Sequence, residues 1–281
     1  MRIIYTITEL RMALDAERQN HKKIGLVSTM GALHEGHASL VRRSVAENDI
    51  TVVSIFVNPT QFNDKNDLIN YPRSLQTDCK ILEKEGTHYV FSPSVEEMYP
   101  ETDTRQFDFT PLDKVMEGAF RPGHFNGVAQ IVSKLFYVVN PDKAYFGEKD
   151  FQQLAIIRLM ANQLKMGIDI VGCPIVRKED GLALSSRNSL LTQKEKKIAS
   201  NISRALFKSR IFAAENSLEA TKQYVLDSVN SVEGLYIEYF EIVEGRTLQP
   251  LKEWKDSNFI VGCVAAYCGK VRLIDNIKYK E

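Results

Sequence analysis

Ile24-Gly25-Leu26-Val27-Ser28-Thr29-Met30-Gly31-Ala32-Leu33-His34-Glu35-Gly36-His37 is the stretch from which the fold can be read. Ile24 to Ser28 is short and mostly apolar, as a buried strand should be. Ala38 to Asn48 then places Leu40, Val41, Ser44 and Val45 on one face of a helix. A glycine-bearing turn between such a strand and such a helix is the joint of a βα unit. Upstream, Thr6-Ile7-Thr8-Glu9 has the form of a capping box and opens a helix through about Asn20. Downstream, Ile50 to Val57 is apolar and β-branched, which suits a strand covered on both faces. Ser74 to Glu85 reads as a helix and Thr87 to Phe91 as a strand.

The alternation continues. Val128, Ile131, Val132, Leu135, Phe136 and Val139 follow helical spacing. Lys143 to Phe146 is a strand, Phe151 to Lys165 a helix, and Ile168 to Val176 a strand. Strands alternating with helices predict an α/β, Rossmann-like parallel sheet with helices on both faces. After Arg177 the pattern changes. Thr192-Gln193-Lys194-Glu195 caps a helix reaching about Ala214, and Asn216 to Glu219 opens another. Two β-rich stretches follow, Leu235 to Val243 and Phe259 to Lys278, the second interrupted near Gly269. The expectation is a sheet domain over 1–176 and a smaller α+β domain over 177–281.

Two hundred and eighty-one residues suit two domains. Thirty-six Lys and Arg against 36 Asp and Glu give zero formal charge, which disfavours binding nucleic acid by bulk electrostatics. No apolar run is long enough to span a membrane, and residues 1–20 lack a signal-peptide core. Cys79, Cys173, Cys263 and Cys268 form no CxxC pair and read as reduced thiols in a cytoplasmic protein.

In parallel sheets, ligands bind beyond the carboxyl ends of the strands. Met30 to His37 occupies such a place. Glycines let a ligand approach the backbone, and a helix N-terminus presents N–H groups to an anion. His34 and His37, separated by Glu35 and Gly36, can each aim a ring N–H at a phosphate. A turn with two solvated histidines, or a zinc pair, reads the same residues differently; HExxH and a third ligand are missing. Asn58 and Gln61 follow the next strand, where Asn58-Pro59 stops it, and their amides suit hydroxyl and carboxylate groups. Arg121 and His124, in Phe120-Arg121-Pro122-Gly123-His124-Phe125-Asn126-Gly127, can reach over a phosphate; an ordinary surface loop is the alternative. Asp150 and Gln153 have capping-box spacing, which needs no function. Ser185, Ser186 and Arg187 make an oxyanion clamp or a turn into the second domain.

The His34-Glu35-Gly36-His37 element resembles the signature of the HIGH-type nucleotidyltransferase superfamily. With Phe56-Val57-Asn58-Pro59-Thr60-Gln61-Phe62, the Arg121-Pro122-Gly123-His124 loop, Tyr145-Phe146-Gly147-Glu148-Lys149-Asp150 and Asp180-Gly181-Leu182-Ala183-Leu184-Ser185-Ser186-Arg187, the chain resembles the pantothenate synthetase (pantoate–β-alanine ligase) family over nearly its whole length. That resemblance implies an ATP-dependent, AMP-forming joining of pantoate to β-alanine through a pantoyl adenylate. It implies ATP contacts from Met30, Gly31, Ala32, Leu33, His34, Glu35, Gly36, His37, Gly147, Glu148, Lys149, Asp150, Val176, Leu184, Ser185, Ser186 and Arg187. His34, His37, Lys149 and Arg187 would be catalytic. Gln61, Gln153, Asn58 and Arg121 would hold substrate. Asp78 resembles a position linked to Mg²⁺, although by its sequence context it reads as a solvated helix carboxylate. A cytoplasmic homodimer, with the second domain covering the site, follows from the same resemblance. Arg187 stands where the second signature of tRNA synthetases has lysine, which disfavours that class. A cytidylyltransferase that keeps its nucleotide on the product, or a nucleotide sensor without catalysis, are the competing readings.

Overall fold

The computed structural model of the chain describes residues 1–62 and 65–281. It divides into two compact units. The first comprises Met1–Phe109, Arg121–Glu148 and Gln153–Pro174; the second comprises Thr110–Phe120, Lys149–Gln152 and Ile175–Glu281. The second unit thus takes two short segments from the earlier part of the chain.

The first unit is built on a six-stranded parallel sheet. In chain order its elements are β1 (Arg2–Ile4), α1 (Ile7–Gln19), β2 (Ile24–Thr29), α2 (Glu35–Glu47), β3 (Ile50–Ile55), α3 (Lys65–Asn70), α4 (Leu75–Lys84), β4 (Tyr89–Phe91) and α5 (Val95–Met98). Beyond the short α6 (Met116–Phe120), which belongs to the second unit, come α7 (His124–Val139), β5 (Lys143–Gly147), α8 (Phe151–Gln163) and β6 (Asp169–Cys173). The sheet order is β1-β4-β3-β2-β5-β6, with every pairing parallel. From β2 the chain builds outward through β3 and β4 on one side, then returns to place β5 on the other. The order therefore reverses beside β2, and the crevice at its carboxyl end is where such sheets bind ligands.

The strands are covered on both faces, which explains their continuous apolar runs. Val27, Val53, Val90, Leu82, Val41 and Tyr145 form one buried cluster in which a fully buried aliphatic side chain is worth about 1.5–3 kcal/mol. Thr6 caps α1 by accepting the Glu9 N–H at 3.3 Å. Two strands end earlier than expected. Strand β3 ends at Ile55, although the Phe56 N–H still reaches the Thr29 carbonyl at 3.1 Å. Strand β6 stops at Cys173, where Pro174 has no N–H to donate. Edge strand β1 is too short, at three residues, to carry a periodicity that sequence reading could find.

The second unit contains α9 (Gln193–Phe212), α10 (Leu218–Asn230), β7 (Leu235–Glu244), β8 (Ile260–Cys268) and β9 (Val271–Lys280). The strands form an antiparallel sheet in the order β7-β8-β9, packed through Phe240, Ile242, Val264 and Ile277 against Ile202, Leu206 and Val225 of the helices. A reciprocal Thr192–Glu195 capping box starts α9 as expected. All four cysteines are free thiols.

In the first unit Asp103 lies under α7. Its carboxylate takes the Arg105 guanidinium at 2.6 Å and has Lys134 at 3.5 Å. The Arg105 hydrogen bonds hold its pKa down to about 2. A carboxyl depressed in the folded state adds stability above its unfolded pKa, and that stability is lost as pH falls from about 4 towards 2. Asp103→Asn should therefore melt below the unsubstituted protein at pH 7, and the gap should close as the melts are repeated towards pH 2. A gap independent of pH would contradict this account.

Candidate active site

The turn leaving β2 is held in place from behind. Thr29 is buried, donates its hydroxyl to the Ser54 carbonyl at 2.7 Å and accepts the Gly31 N–H at 3.2 Å. Gly31 has φ +81°, a conformation that L side chains rarely adopt, and a Cβ there would meet Asp78 Oδ2 at 3.0 Å. Asp78, on the first turn of α4 and 2% exposed, accepts the Ala32 N–H at 3.0 Å and the Leu33 N–H at 2.8 Å. Burial raises its pKa, and those two amides act in the opposite sense. Asp78, read by its sequence context as a solvated helix carboxylate, is instead buried, with each oxygen accepting an N–H of the turn. Among the described residues, no three His, Cys, Asp or Glu side chains are grouped to hold a metal ion. These residues do not supply the oxygen set that Mg²⁺ requires; a magnesium ion here would need ligands from a nucleotide and water.

Helix α2 begins at Glu35, three residues earlier than expected, because the two histidines cap it themselves. His34 is the N-cap; its Nδ1 accepts the Gly36 N–H at 3.1 Å. His37 Nδ1 accepts the His34 N–H at 3.4 Å, closing a reciprocal box. The rings lie 4.1 Å apart, tilted by 39°. An Nδ1 that accepts cannot carry the proton, so each neutral ring is held as its Nε2–H tautomer. Backbone geometry thereby sets the tautomer of both rings at the N-terminus of a helix, where an anion is favoured.

Gln61 lies beside this turn. Its Nε2 is 3.1 Å from Met30 Sδ, and its Oε1 accepts from Asn58 Nδ2 at 3.2 Å. The first two expected segments thus meet at the ends of β2 and β3. Asn58 itself is 1% exposed. It donates to the Gly127 carbonyl at 3.1 Å and accepts from the Tyr99 hydroxyl at 2.8 Å and the Thr60 hydroxyl at 3.2 Å. Expected to touch substrate, it is committed to holding the Pro59–Gln61 turn. His124 differs from expectation too. It is 5% exposed, and its Nδ1 lies 2.9 Å from the Gln61 carbonyl, with Arg121 Nη1 3.1 Å from its Nε2. It lies against the Gln61 carbonyl at the start of α7 and not in an exposed loop. Gly127, inside α7, closes the segment that begins at Phe120 but carries no expected role of its own; a Cβ there would stand 2.3 Å from the Thr60 carbonyl oxygen. A glycine inside a helical pattern is its signal.

Strand β5 ends at Gly147, and Glu148 closes that part of the first unit. Gln153, on α8, is half-buried. Its neighbour Gln152 has a plainly structural role in the second unit, accepting the Glu117 N–H at 2.9 Å and donating to the Val115 carbonyl at 2.9 Å. No Asp150 cap interrupts the chain; Glu148–Asp150 is a 3-10 turn running into α8.

The remaining expected residues belong to the second unit. Lys149 Nζ is 3.8 Å from Asp150 Oδ2. The 176–188 segment folds back on itself, with the Leu184 N–H on the Val176 carbonyl at 3.0 Å and the Lys178 N–H on the Leu182 carbonyl at 2.9 Å. Gly181 supplies the turn at φ +92°. Ser185 then caps a short 3-10 turn, Ser186–Leu190, by accepting the Arg187 N–H at 3.3 Å.

A parallel sheet with a helix-capping histidine pair at its switch point is the architecture of a nucleotide-handling α/β enzyme. Residues 2–278 match the pantoate-beta-alanine ligase family, and the chain belongs to it. Pantothenate synthetase of Bacteroides fragilis is 63% identical over the full length of both chains, and that of Porphyromonas gingivalis 56%. The crystal structure of pantothenate synthetase from Thermus thermophilus matches with a TM-score of 0.94 at 43% identity over all of both chains. The pantoate-beta-alanine ligase of Francisella tularensis, complexed with beta-gamma ATP and beta-alanine, matches at 0.84 and 37%, covering 99% of this chain and 98% of that one. The family's reaction joins pantoate to β-alanine through pantoyl adenylate, converting ATP to AMP and pyrophosphate.

Gly127→Ala should force the Pro59–Gln61 turn away from α7. Overpacking of this kind costs about 1–3 kcal/mol. The melting temperature should fall by several degrees, on the order of 2–4 °C per kcal/mol for a chain of this size, and turnover should fall with it. A variant with unchanged melting temperature and unchanged turnover would show that the turn does not depend on this close approach.

Proposed function

We propose that this chain catalyses the family's reaction with Gln61 and Gln153 aligning pantoate beside ATP. In the first step a pantoate carboxylate oxygen attacks the α-phosphorus. The bond from that phosphorus to the bridging oxygen breaks, and pyrophosphate leaves. In the second, the β-alanine amine attacks the acyl carbon, the acyl–phosphate oxygen bond breaks, and AMP leaves as the amine loses a proton. No step needs a covalent nucleophile from the protein. Alignment and charge neutralisation suffice.

The observation that carries this reading is the reciprocal capping of His34 and His37. Both Nδ1 atoms accept backbone N–H groups, so both rings offer Nε2–H as donor. We assign these donors to phosphate oxygens, with the turn from Met30 to Gly36 lining the nucleotide. Gly147, Glu148 and Asp150 are assigned to the nucleotide, Lys149 and Arg187 to its phosphates, and Ser185 and Ser186 to the same anion. Val176 and Leu184 are assigned to the base or ribose, and Arg121 to substrate. Mg²⁺ is assigned to the triphosphate oxygens, its usual place with nucleotides. From the family resemblance we further infer a cytoplasmic homodimer.

His37→Ala and Lys149→Ala should each lower pyrophosphate release from ATP and pantoate by ~10²-fold or more, the scale for losing one positioned donor. Rates equal to the unsubstituted enzyme would remove that residue from the mechanism. Oxygen isotope placed in the pantoate carboxylate should appear in AMP. Its appearance in inorganic phosphate would mean an acyl-phosphate route and would overturn the adenylate assignment.

A further inference from the structure

Strand β9 carries a feature that packing does not ask for. Between Ile274 and Ile277 stand Asp275 and Asn276, residue types that strands disfavour, and they are 6% and 4% exposed. Buried polar groups are costly unless satisfied. Both are satisfied, and by segments the proposed reaction uses.

Asp275 receives the Arg177 guanidinium in a two-pronged pair, Nη1 to Oδ2 at 2.7 Å and Nη2 to Oδ1 at 2.8 Å. The Asn276 N–H adds a third bond to Asp275 Oδ1 at 2.8 Å. Arg177 also donates to the Gly181 carbonyl at 3.1 Å and to the Asn276 carbonyl at 3.2 Å. It therefore ties to β9 the turn that leads into Ser185, Ser186 and Arg187. On the other side, Asn276 Nδ2 donates to the main-chain carbonyl of Lys149 at 3.1 Å. One dipeptide thus holds two segments of the second unit, far apart in sequence, that bear the groups assigned to phosphate.

We infer that Asp275 and Asn276 are positioning residues for adenylate formation: Asn276 fixes the backbone from which Lys149 extends, and Asp275, through Arg177, fixes the approach to Arg187. The inference rests on the roles proposed above for Lys149 and Arg187. Arg177 is charge-matched by Asp275, so its contribution is geometric. Stabilising a developing charge depends on donors held in place beforehand, and a displacement of about 1 Å can cost ~10²-fold in rate.

The test uses the full-length enzyme with ATP and pantoate, reading pyrophosphate release and thermal melting. Asn276→Ala should lower kcat by about tenfold or more while leaving KM for pantoate within about twofold. Tyr279→Phe is the control. It removes a partly buried hydrogen bond from the same strand, the 2.7 Å contact with Ser209, and should leave kcat unchanged. Lys149→Ala combined with Asn276→Ala should be no slower than Lys149→Ala alone, because Asn276 acts through Lys149. Where Asn276→Ala does not fold, Asn276→Asp keeps the volume, removes the donor and should show the same loss of kcat. Normal turnover in a folded Asn276 variant, an equal loss in Tyr279→Phe, or multiplying effects in the double variant would each overturn the inference. A normal rate for Lys149→Ala would instead refute the role of Lys149, and a slow Lys149→Ala beside a normal Asn276→Ala would refute the positioning role alone.

Discussion

The turn between β2 and α2 has more backbone N–H groups than a parallel sheet can satisfy, and Asp78 accepts two of them at once. The hydrogen bonds to Ala32 and Leu33 are the constraint from which the rest of the first unit's site follows. They hold the turn against α4, which lets Gly31 take its left-handed conformation and brings His34 to the N-cap. A buried carboxylate costs free energy unless its oxygens are used. Here they are used on the backbone, so the cost is balanced by order in a segment that would otherwise be a loose loop.

With the turn fixed, the imidazoles do two jobs with different atoms. The Nδ1 atoms cap the helix, and capping dictates which nitrogen keeps the proton. This couples a local folding signal to a chemical property. An alanine at either position would take away a cap as well as a donor, so loss of activity and loss of helix stability are linked at these residues. The amide pair at the end of β3 divides its labour between residues instead. Asn58 is buried in contacts with Gly127, Tyr99 and Thr60, and Gln61, held by it, stands next to Met30.

Much of this was legible in the sequence, for identifiable reasons. The parallel sheet announced itself because strands covered on both faces are apolar throughout, and the helices because their caps and spacing are local. The histidine pair was legible because its neighbours are glycines at a strand-to-helix joint. What escaped was the supporting layer. His124 looked like part of an exposed loop because Pro122 and Gly123 precede it, yet it begins α7 and lies buried against the Gln61 carbonyl. Asp78 looked like one more polar residue at a helix start, since nothing near it in sequence shows the amides it accepts. Such roles are set by contacts between segments 45 to 63 residues apart, and no periodicity encodes them.

The second unit shows how such residues can nevertheless betray themselves. A strand that buries an Asp-Asn pair beside Ile277 gains nothing from the pair in packing, and a chain selected only for a stable sheet would place apolar or β-branched residues there. Local propensity and tertiary role disagree at Asp275 and Asn276, as they do at Gly127 in α7. Conflicts of this kind are expected where function constrains the chain, because elsewhere the levels of structure agree. The disagreement in β9 is resolved by Arg177 and the Lys149 carbonyl, which are far away in sequence and adjacent in space. A buried polar pair within a strand is therefore informative in proportion to how completely its hydrogen bonds are satisfied. An unsatisfied pair would mark strain, whereas this one marks the point from which two functional segments are held.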